Sequence, residues 1–327
     1  MSSATTLSVR VARKAVEAQD IVTLELVAAD GSALPAFGAG AHVDVQLPDG
    51  KGGPGITRQY SLCNDPTETH RYLIGVLRDP ASRGGSQAVH ELVKEGDVLQ
   101  ISTPKNHFPL AHDAKKSLLL GGGIGITPIL CMAERLANTG ADFELHYATR
   151  SPERTAFRER IAGSGFAKQV QFHFDDGDAA QKLDLAKLLA QPQAGTHLYV
   201  CGPKGFMDAV LNTAREKGWP EEQLHYEFFG ATVEKSDSDA SFEIKLASSG
   251  RIVMVPKDKT VTQALAEAGV EILMSCEQGV CGTCLTRVLE GVPDHKDSYL
   301  TPEEQAANDQ FLPCCSRSKT PQLVLDL

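Results

Sequence analysis

Apolar and polar positions alternate in short runs through the first part of the chain. Leu7-Ser8-Val9-Arg10-Val11, Val22-Thr23-Leu24-Glu25-Leu26 and His42-Val43-Asp44-Val45-Gln46-Leu47 carry a period of two, and Tyr72–Leu77 is nearly continuous in apolar residues. The later runs break at Asp-Gly or Pro, the signature of strands bounded by turns. One helix is predicted there, at about 86–94. The pattern predicts a small antiparallel β-barrel.

From residue 115 to 229 the rhythm changes. Ser117–Leu120, Phe143–Ala148, Val170–Phe174, His197–Cys201 and His225–Phe229 read as strands. Helical patterns at 129–136, near 153–161 and at 205–216 lie between them. Strands alternating with helices predict a parallel sheet covered on both faces. Residues 231–240 are small, polar and charged and read as a linker. A third unit follows, with strand-like runs at Phe242–Leu246 and Ile252–Val255 and a helix at about 261–268. The fold class expected is a multi-domain β + α/β + α+β chain.

Composition narrows the function classes. The 327 residues hold 32 Lys and Arg against 42 Asp and Glu, a net charge of −10. An acidic chain does not suit the nucleic-acid backbone, which calls for clustered cations. No stretch approaches the ~20 apolar residues that span a bilayer. The first twenty residues have neither a continuous apolar stretch nor a small-residue cleavage site and read as the approach to a first strand. The expected location is the cytoplasm, with no membrane and no nucleic-acid partner.

Five of the eight cysteines fall between 276 and 315. Cys276, Cys281 and Cys284 form C-x4-C-x2-C, and Cys314 follows after 29 intervening residues. This is the plant-type [2Fe–2S] spacing. Two irons and two bridging sulfides need four thiolates, three from one wrapping loop and one from afar. Gly279 and Gly282 let the backbone pass close to the sulfurs. Structural zinc is the alternative, but its usual second C-x2-C or His pair is missing. Spacing alone does not choose between Cys314 and Cys315.

Two glycine-bearing turns follow strands of the parallel sheet. Gly121-Gly122-Gly123-Ile124-Gly125-Ile126-Thr127-Pro128 joins a strand to a helix, where a backbone without Cβ atoms can approach a pyrophosphate. Thr127 is the expected N-cap and Pro128 suits the first turn. The run lacks the third glycine of the full dinucleotide fingerprint. Cys201-Gly202-Pro203 ends a second strand. Ligands of open parallel sheets bind at such carboxyl ends, so the pair predicts a dinucleotide site. Cys201 is either a core thiol or one that faces a ligand.

In the barrel, Arg58-Gln59-Tyr60-Ser61 places an Arg and a Tyr on one strand face. Arg83-Gly84-Gly85-Ser86 opens the predicted helix, with Ser86 as N-cap candidate, and reads as a phosphate site. From the residues alone, Arg58 could equally be a solvated charge and Tyr60 a half-buried sheet residue.

Taken in order, Arg58-Gln-Tyr-Ser, Gly121–Pro128, Cys201-Gly-Pro and the cysteine loop closely resemble the phthalate dioxygenase reductase / vanillate O-demethylase reductase family. The resemblance spans essentially the whole chain. It implies an FMN-binding barrel over 1–112, an NAD-binding α/β domain over 113–230, the 231–240 linker and a β-grasp [2Fe–2S] ferredoxin domain over 241–327. Arg58, Tyr60 and Ser61 resemble the flavin-binding R-x-Y-S, Ile74 and Val76 its backbone flavin contacts, and Arg83, Gly84, Gly85 and Ser86 the FMN-phosphate loop. Gly121, Gly122, Gly123 and Gly125 resemble the nicotinamide and pyrophosphate loop, with Thr127 also near the flavin. Thr149, Arg150 and Ser151 resemble the adenosine-ribose region, and Cys201, Gly202 and Pro203 the motif beside the nicotinamide. Phe229 resembles the aromatic packed over the flavin. Cys314-Cys315-Ser316-Arg317 resembles a Cys-Val-Ser-Arg run whose first residue is the fourth iron ligand, which favours Cys314. Arg150 departs from an acidic ribose contact, whereas Asp175 and Asp176 bring carboxylates to the end of the third strand.

The implied function is the reductase component of a multicomponent, Rieske-type aromatic oxygenase or demethylase. It would pass electrons from NADH through FMN and [2Fe–2S] to a terminal oxygenase, as a monomer. A reductase for a haem monooxygenase and a non-catalytic redox-sensing flavo-iron–sulfur protein are the alternatives.

Overall fold

The structure, a computed structural model, describes residues 6–50, 55–82, 84–229, 240–274, 277–280 and 282–327. The chain divides into two compact units, residues 1–229 and 230–327. The expected linker lies outside the described residues except for Ala240.

The first unit opens with six antiparallel strands: β1 (Thr6–Ala18), β2 (Ile21–Ala28), β3 (His42–Leu47), β4 (Ile56–Ser61), β5 (Tyr72–Leu77) and β6 (Val98–Ser102). Their order is β4-β3-β6-β1-β2-β5, and a bridge between Leu62 and Ile74 joins the two edges into a barrel. Alternation decides the faces. Val43, Val45 and Leu47 point into the barrel core, whereas Gln46 is exposed. Helix α1 (Gly85–Glu91) is held at its far end by Lys14, whose Nζ donates to the carbonyls of Val89, His90 and Val93 at 2.7, 2.8 and 2.8 Å. The last carbonyls of a helix lack partners within it, so this one ammonium anchors α1 on β1.

Five parallel strands follow: β7 (Lys116–Gly122), β8 (Asp142–Thr149), β9 (Val170–Phe174), β10 (Thr196–Cys201) and β11 (Leu224–Glu227), in the order β11-β10-β7-β8-β9. Helices α2 (Ile126–Thr139), α3 (Arg158–Ala162), α4 (Leu185–Leu188) and α5 (Lys204–Glu216) connect them. Both faces are covered, so β7 and β10 are buried almost throughout, as parallel strands are. Leu118, Leu120, Leu198 and Val200 pack on Met207, Val210 and Leu211 of α5. The alternate residues Leu119, Tyr199 and Cys201 pack on the other face with Ile126, Ile129 and Leu130 of α2. That second core also takes in Ile21, Cys63 and Phe108 from the barrel side. Each such fully buried side chain contributes roughly 1.5–3 kcal/mol. The two sheets therefore share one core along a seam.

Polar contacts stitch the same seam. Arg160 donates to the Cys63 carbonyl at 2.9 Å and to Glu134 at 3.0 Å. Glu17 accepts from the Phe157 amide at 2.8 Å, and the Gln19 amide donates to the Glu153 carbonyl at 2.8 Å. The helix expected near 153–161 is split, with a 3-10 turn at Pro152–Arg154 and then α3. Phe157, with φ 59°, stands between them. The strand expected at 225–229 ends at Glu227.

The second unit holds β12 (Phe242–Leu246), β13 (Ile252–Val255), α6 (Val261–Glu267), β14 (Thr286–Glu290), β15 (Pro293–Asp294), α7 (Pro302–Ala307), β16 (Gln310–Phe311), β17 (Arg317–Ser318) and β18 (Gln322–Leu325). The main sheet runs β13-β12-β18-β14-β16, with β12 and β18 parallel at its centre, the β-grasp order. Thr260 caps α6 in a reciprocal box with Gln263, and Thr301 does the same for α7 with Glu304. The core of this sheet, Phe242, Ile244, Val255, Leu265, Phe311, Leu323 and their neighbours, contains no cysteine among the described residues.

Candidate functional site

The barrel brings Arg58 and the Gly84-Gly85 turn together. A Cβ at Gly85 would stand 2.5 Å from Arg58 Cγ, and one at Gly84 2.8 Å from Ile56 Cδ1. Only a side chain reduced to hydrogen lets the first turn of α1 lie on β4. The N-cap of α1 is Gly84 with φ 91°, not Ser86. A left-handed residue was needed there, and glycine adopts that conformation freely. Ser86 sits inside the helix and accepts from the Asp79 amide at 3.2 Å. Arg83 lies outside the described residues. Tyr60 is enclosed, and burial holds its hydroxyl well above the usual tyrosine range, with Arg58 opposing. Ile74 and Val76 bury their side chains in the barrel core, and the Val76 carbonyl accepts from His90 Nε2 at 3.0 Å.

Across the seam, β5 meets the start of α2. A Cβ at Gly75 would lie 3.0 Å from the Thr127 methyl and 3.5 Å from Ile124 Cδ1. Thr127 is thus beside the strand that carries Ile74 and Val76. It is not the N-cap: Gly125 holds that position, and the Thr127 hydroxyl donates back to the Ile124 carbonyl at 3.1 Å.

The two glycine turns at the carboxyl ends of β7 and β10 touch each other. A Cβ at Gly125 would stand 2.3 Å from the Cys201 carbonyl oxygen and 2.5 Å from the Gly202 amide. One at Gly202 would stand 2.9 Å from Gly122 Cα, and one at Gly122 2.7 Å from Phe206 Cδ1. Two backbones therefore converge where a parallel sheet binds ligands. Gly123, with φ 52°, turns the chain there, Gly121 packs under Ile126, and Pro203 caps α5.

Cys201 lies at the last pair of β10, opposite Glu227 on β11. The thiol is fully buried, and burial, with the Glu227 charge adding to it, pushes it well above the ordinary cysteine range. Glu227 is itself pushed up to about 7 by burial, with a hydrogen bond from Ser61 opposing. The Ser61 hydroxyl donates to Glu227 Oε2 at 3.5 Å. Ser61 of the barrel, Cys201 and Glu227 thus meet at one point of the seam. The sequence reading missed Glu227. It sits two residues before Phe229 in His225-Tyr-Glu-Phe-Phe, but its place opposite Cys201 depends on the β10–β11 pairing, which the sequence did not show. Phe229 follows the end of β11 and is 41% exposed.

At the far end of the sheet, the Asp175 amide donates to the Thr149 carbonyl at 3.0 Å, and the Asp176 amide to the Arg150 carbonyl at 3.2 Å. The ends of β8 and β9 are thereby adjacent. The Thr149 hydroxyl is buried within its own turn, 2.7 Å from Thr155 Oγ1 and donating to the Ser151 carbonyl at 3.3 Å. Arg150 is exposed.

In the second unit, Cys276 and Cys281 lie outside the described residues. Cys284, Cys314 and Cys315 are buried with Leu300 and Leu312 in a small cluster separate from the sheet core. Glu277, Gly279 and Gly282 all have left-handed backbones, with φ 58°, 73° and 69°. A Cβ at Gly279 would stand 2.4 Å from Cys315 Sγ, and one at Gly282 2.3 Å from the Tyr299 ring. Buried thiols beside a loop of left-handed turns fit a thiolate-held cluster, whose sulfurs need close backbone amides. Cys315 donates towards the Leu312 carbonyl at 3.6 Å. This side chain serves the turn.

A family model described as "2Fe-2S iron-sulfur cluster binding domain" matches residues 244–319. Another, "Dimethylamine monooxygenase subunit DmmA-like, N-terminal domain", matches 102–224. A vanillate O-demethylase oxidoreductase of Pseudomonas putida is 58% identical over 312 residues, covering 95% of this chain and 96% of the relative. The chain belongs to the vanillate O-demethylase / phthalate dioxygenase reductase family. The solved "Phthalate dioxygenase reductase: a modular structure for electron transfer from pyridine nucleotides to [2Fe-2S]" is 38% identical with a TM-score of 0.77, covering 98% of both chains. An intact type IV self-sufficient cytochrome P450 monooxygenase is also 38% identical with a TM-score of 0.83, covering 98% of this chain and 41% of that one. Membership in this oxygenase reductase family makes the chain an oxidoreductase with flavin, pyridine-nucleotide and iron–sulfur modules. No helix among the described residues is long and apolar enough to cross a membrane.

Proposed function

We propose that the chain is the NADH-dependent, FMN- and [2Fe–2S]-containing reductase that supplies a terminal oxygenase acting on an aromatic substrate. The observation that carries this reading is the seam, where Ser61, Gly75, Thr127, Cys201 and Glu227 meet beside two touching glycine turns. When bound, the flavin and the cluster together convert a two-electron hydride into single electrons.

The residues divide the remaining work. Arg58, with Arg83, Gly84, Gly85 and Ser86, holds the terminal phosphate of FMN by charge and close backbone approach. Tyr60 and Ser61, with the backbone at Ile74 and Val76, line the ring. Gly121, Gly122, Gly123, Gly125, Gly202 and Pro203 admit the nicotinamide and pyrophosphate. Cys201 and Thr127 would position the nicotinamide, and Phe229 would pack over the flavin ring. Glu227 holds a proton near neutral pH beside the Ser61 hydroxyl. Asp175 and Asp176, beside Thr149, Arg150 and Ser151, accept from the ribose hydroxyl of NADH and repel the extra phosphate of NADPH. Cys276, Cys281, Cys284 and Cys314 hold the irons.

The proposed domains run over 1–112, 113–230 and 241–327, in a cytoplasmic monomer. The likeness to a self-sufficient P450 favours one second reading, in which the acceptor is a haem monooxygenase.

Three measurements test the reading. NADH should reduce ferricyanide and cytochrome c steadily. Flavin released by denaturation should run as FMN on chromatography; FAD would overturn the phosphate-loop assignment. Turnover should be restored with a Rieske oxygenase from the same source, and restoration only with a haem monooxygenase would select the second reading.

A further inference from the structure

One buried carboxylate stands between the turn of Cys314 and the backbone at Gly279. Asp297 has a side chain 0% exposed. Its Oδ2 accepts from the Leu300 amide at 2.9 Å, and its Oδ1 accepts from the Ser316 hydroxyl at 3.3 Å. Ser316 belongs to the turn of Cys314: the amides of Cys315 and Ser316 both donate to the Leu312 carbonyl, at 3.2 and 3.0 Å. The same hydroxyl accepts from the Lys296 amide at 3.2 Å.

On its other side, Asp297 adjoins the loop that carries Cys284. A Cβ at Gly279 would lie 3.0 Å from both Cα and Cβ of Asp297, and the Ser298 amide donates to the Gly279 carbonyl at 3.0 Å. Gln305 of α7 donates to the Asp297 carbonyl at 3.3 Å. His295 Nδ1 stands 3.5 Å from Oδ1, and its side chain is 6% exposed. Neither ring nitrogen of His295 has a hydrogen-bond partner among the described residues.

A buried carboxylate is costly unless its surroundings compensate. Each carboxylate oxygen takes one of these bonds, whereas an amide, with a single acceptor oxygen, would accept from Leu300 and donate to the Ser316 hydroxyl. We propose that Asp297 is a positioning residue for the [2Fe–2S] site. It ties the Cys314 turn to the backbone at Gly279, and its carboxylate lowers the reduction potential of the cluster. The proposal rests on the iron–sulfur reading of the cysteine loop. Reduction adds one electron to the cluster, and a fixed negative charge beside the ligand turn opposes that addition; net charge and local hydrogen bonding set such potentials.

The test uses the full-length reductase purified with its cofactors. Iron per chain and the visible circular dichroism report loading, and a redox titration followed by the reduced-cluster EPR signal reports the potential. Asp297→Asn should keep the iron and the spectrum while the midpoint moves positive. Asp297→Ala should lose iron faster than wild type on incubation with a chelator. Ser316→Ala keeps the carboxylate but cuts its link to the turn, and should also shed iron faster. An Asp297→Asn midpoint equal to wild type would overturn the charge role. Wild-type iron retention in both Asp297→Ala and Ser316→Ala would overturn the tie. If Asp297→Asn fails to hold iron, a Ser316→Ala protein as retentive as wild type would still reject the proposal. Wild-type protein without iron would instead overturn the iron–sulfur reading itself.

Discussion

The nucleotide end of the parallel sheet and the cysteine loop of the second unit both depend on glycine, but differently. At Gly125 and Gly202 the missing Cβ lets one backbone touch another, and at Gly122 it leaves room for the Phe206 ring. At Gly279 and Gly282 the glycine supplies a left-handed turn and room for a sulfur and a ring, outside the sheet core of its unit. In the first region the site cannot be altered without disturbing the fold. In the second, the ligand loop stands on a fold that does not include it.

The largest effect tests that separation. Cys314→Ala should abolish the roughly two irons expected per chain, while NADH-driven ferricyanide reduction and the far-ultraviolet dichroism persist. Cys276, Cys281 and Cys284 changed to Ala should behave alike, and Cys315→Ala should leave the visible spectrum nearly intact. A cluster lost from Cys315→Ala but not from Cys314→Ala would reverse the ligand assignment.

Gly125→Ala is the counterpart in the seam. Its Cβ would collide with the backbone of Cys201 and Gly202. Overpacking of this kind costs about 1–3 kcal/mol, and misplacing reactants by an ångström costs on the order of 10²-fold in rate. Stability and flavin reduction by NADH should therefore fall together, in a thermal melt and a stopped-flow trace. A loss of rate with an unchanged melt would break the contrast between the regions.

Glu227 sharpens it. Its folded value, about 7, lies above the 4.5 of a free glutamate. The protonated form is the one the fold favours, so its contribution is complete below 4.5 and is lost as pH rises through 7. Glu227→Gln should flatten the pH dependence of flavin reduction between pH 6 and 8, measured under single turnover. An unchanged profile would assign that titration to another group.

A smaller effect is expected for coenzyme choice. Asp176→Ser removes a carboxylate next to Arg150 and should raise kcat/KM for NADPH several-fold relative to NADH. An unmoved ratio would take the ribose contact away from the end of β9.

The smallest effect concerns acid stability. His146 and His173 stack with ring centroids 5.2 Å apart, and His146 Nδ1 lies 2.9 Å from His173 Nε2. Burial first, and the His173 charge second, hold His146 down at about 4. A depressed histidine favours folding above its unfolded value of 6.5, and that support is lost as pH falls towards 4. After allowance for solvent screening, His146→Gln should reduce the stability lost between pH 7 and 5 by about 1 kcal/mol, in paired denaturant titrations.

Much of the fold was legible because its periodicity is strict. β3 and β12 begin and end where alternation places them, and β5 and β13 where the apolar runs do. The doubly covered sheet followed from strands such as Ser117–Leu120 alternating with helical patterns. The caps were misread for one reason. Hydrogen-bonding side chains pointed to Ser86 and Thr127, but close backbone approach required Gly84 and Gly125. Three strands after the cysteines, β15, β16 and β17, went unread because they are two residues each, too short to carry a period. Glu227 and Asp297 were invisible because their meaning comes from partners 166 and 19 residues away.

The seam also sets the unit in which this chain can be inherited or exchanged. A cut near residue 112 would strip Ile21, Cys63 and Phe108 from Ile126, Ile129 and Leu130 and leave two bare apolar faces. Such faces aggregate. Recombination between reductases should therefore preserve residues 6–229 as one block. The β-grasp unit, with a sheet core of its own, can be traded at the boundary between Phe229 and Gly230.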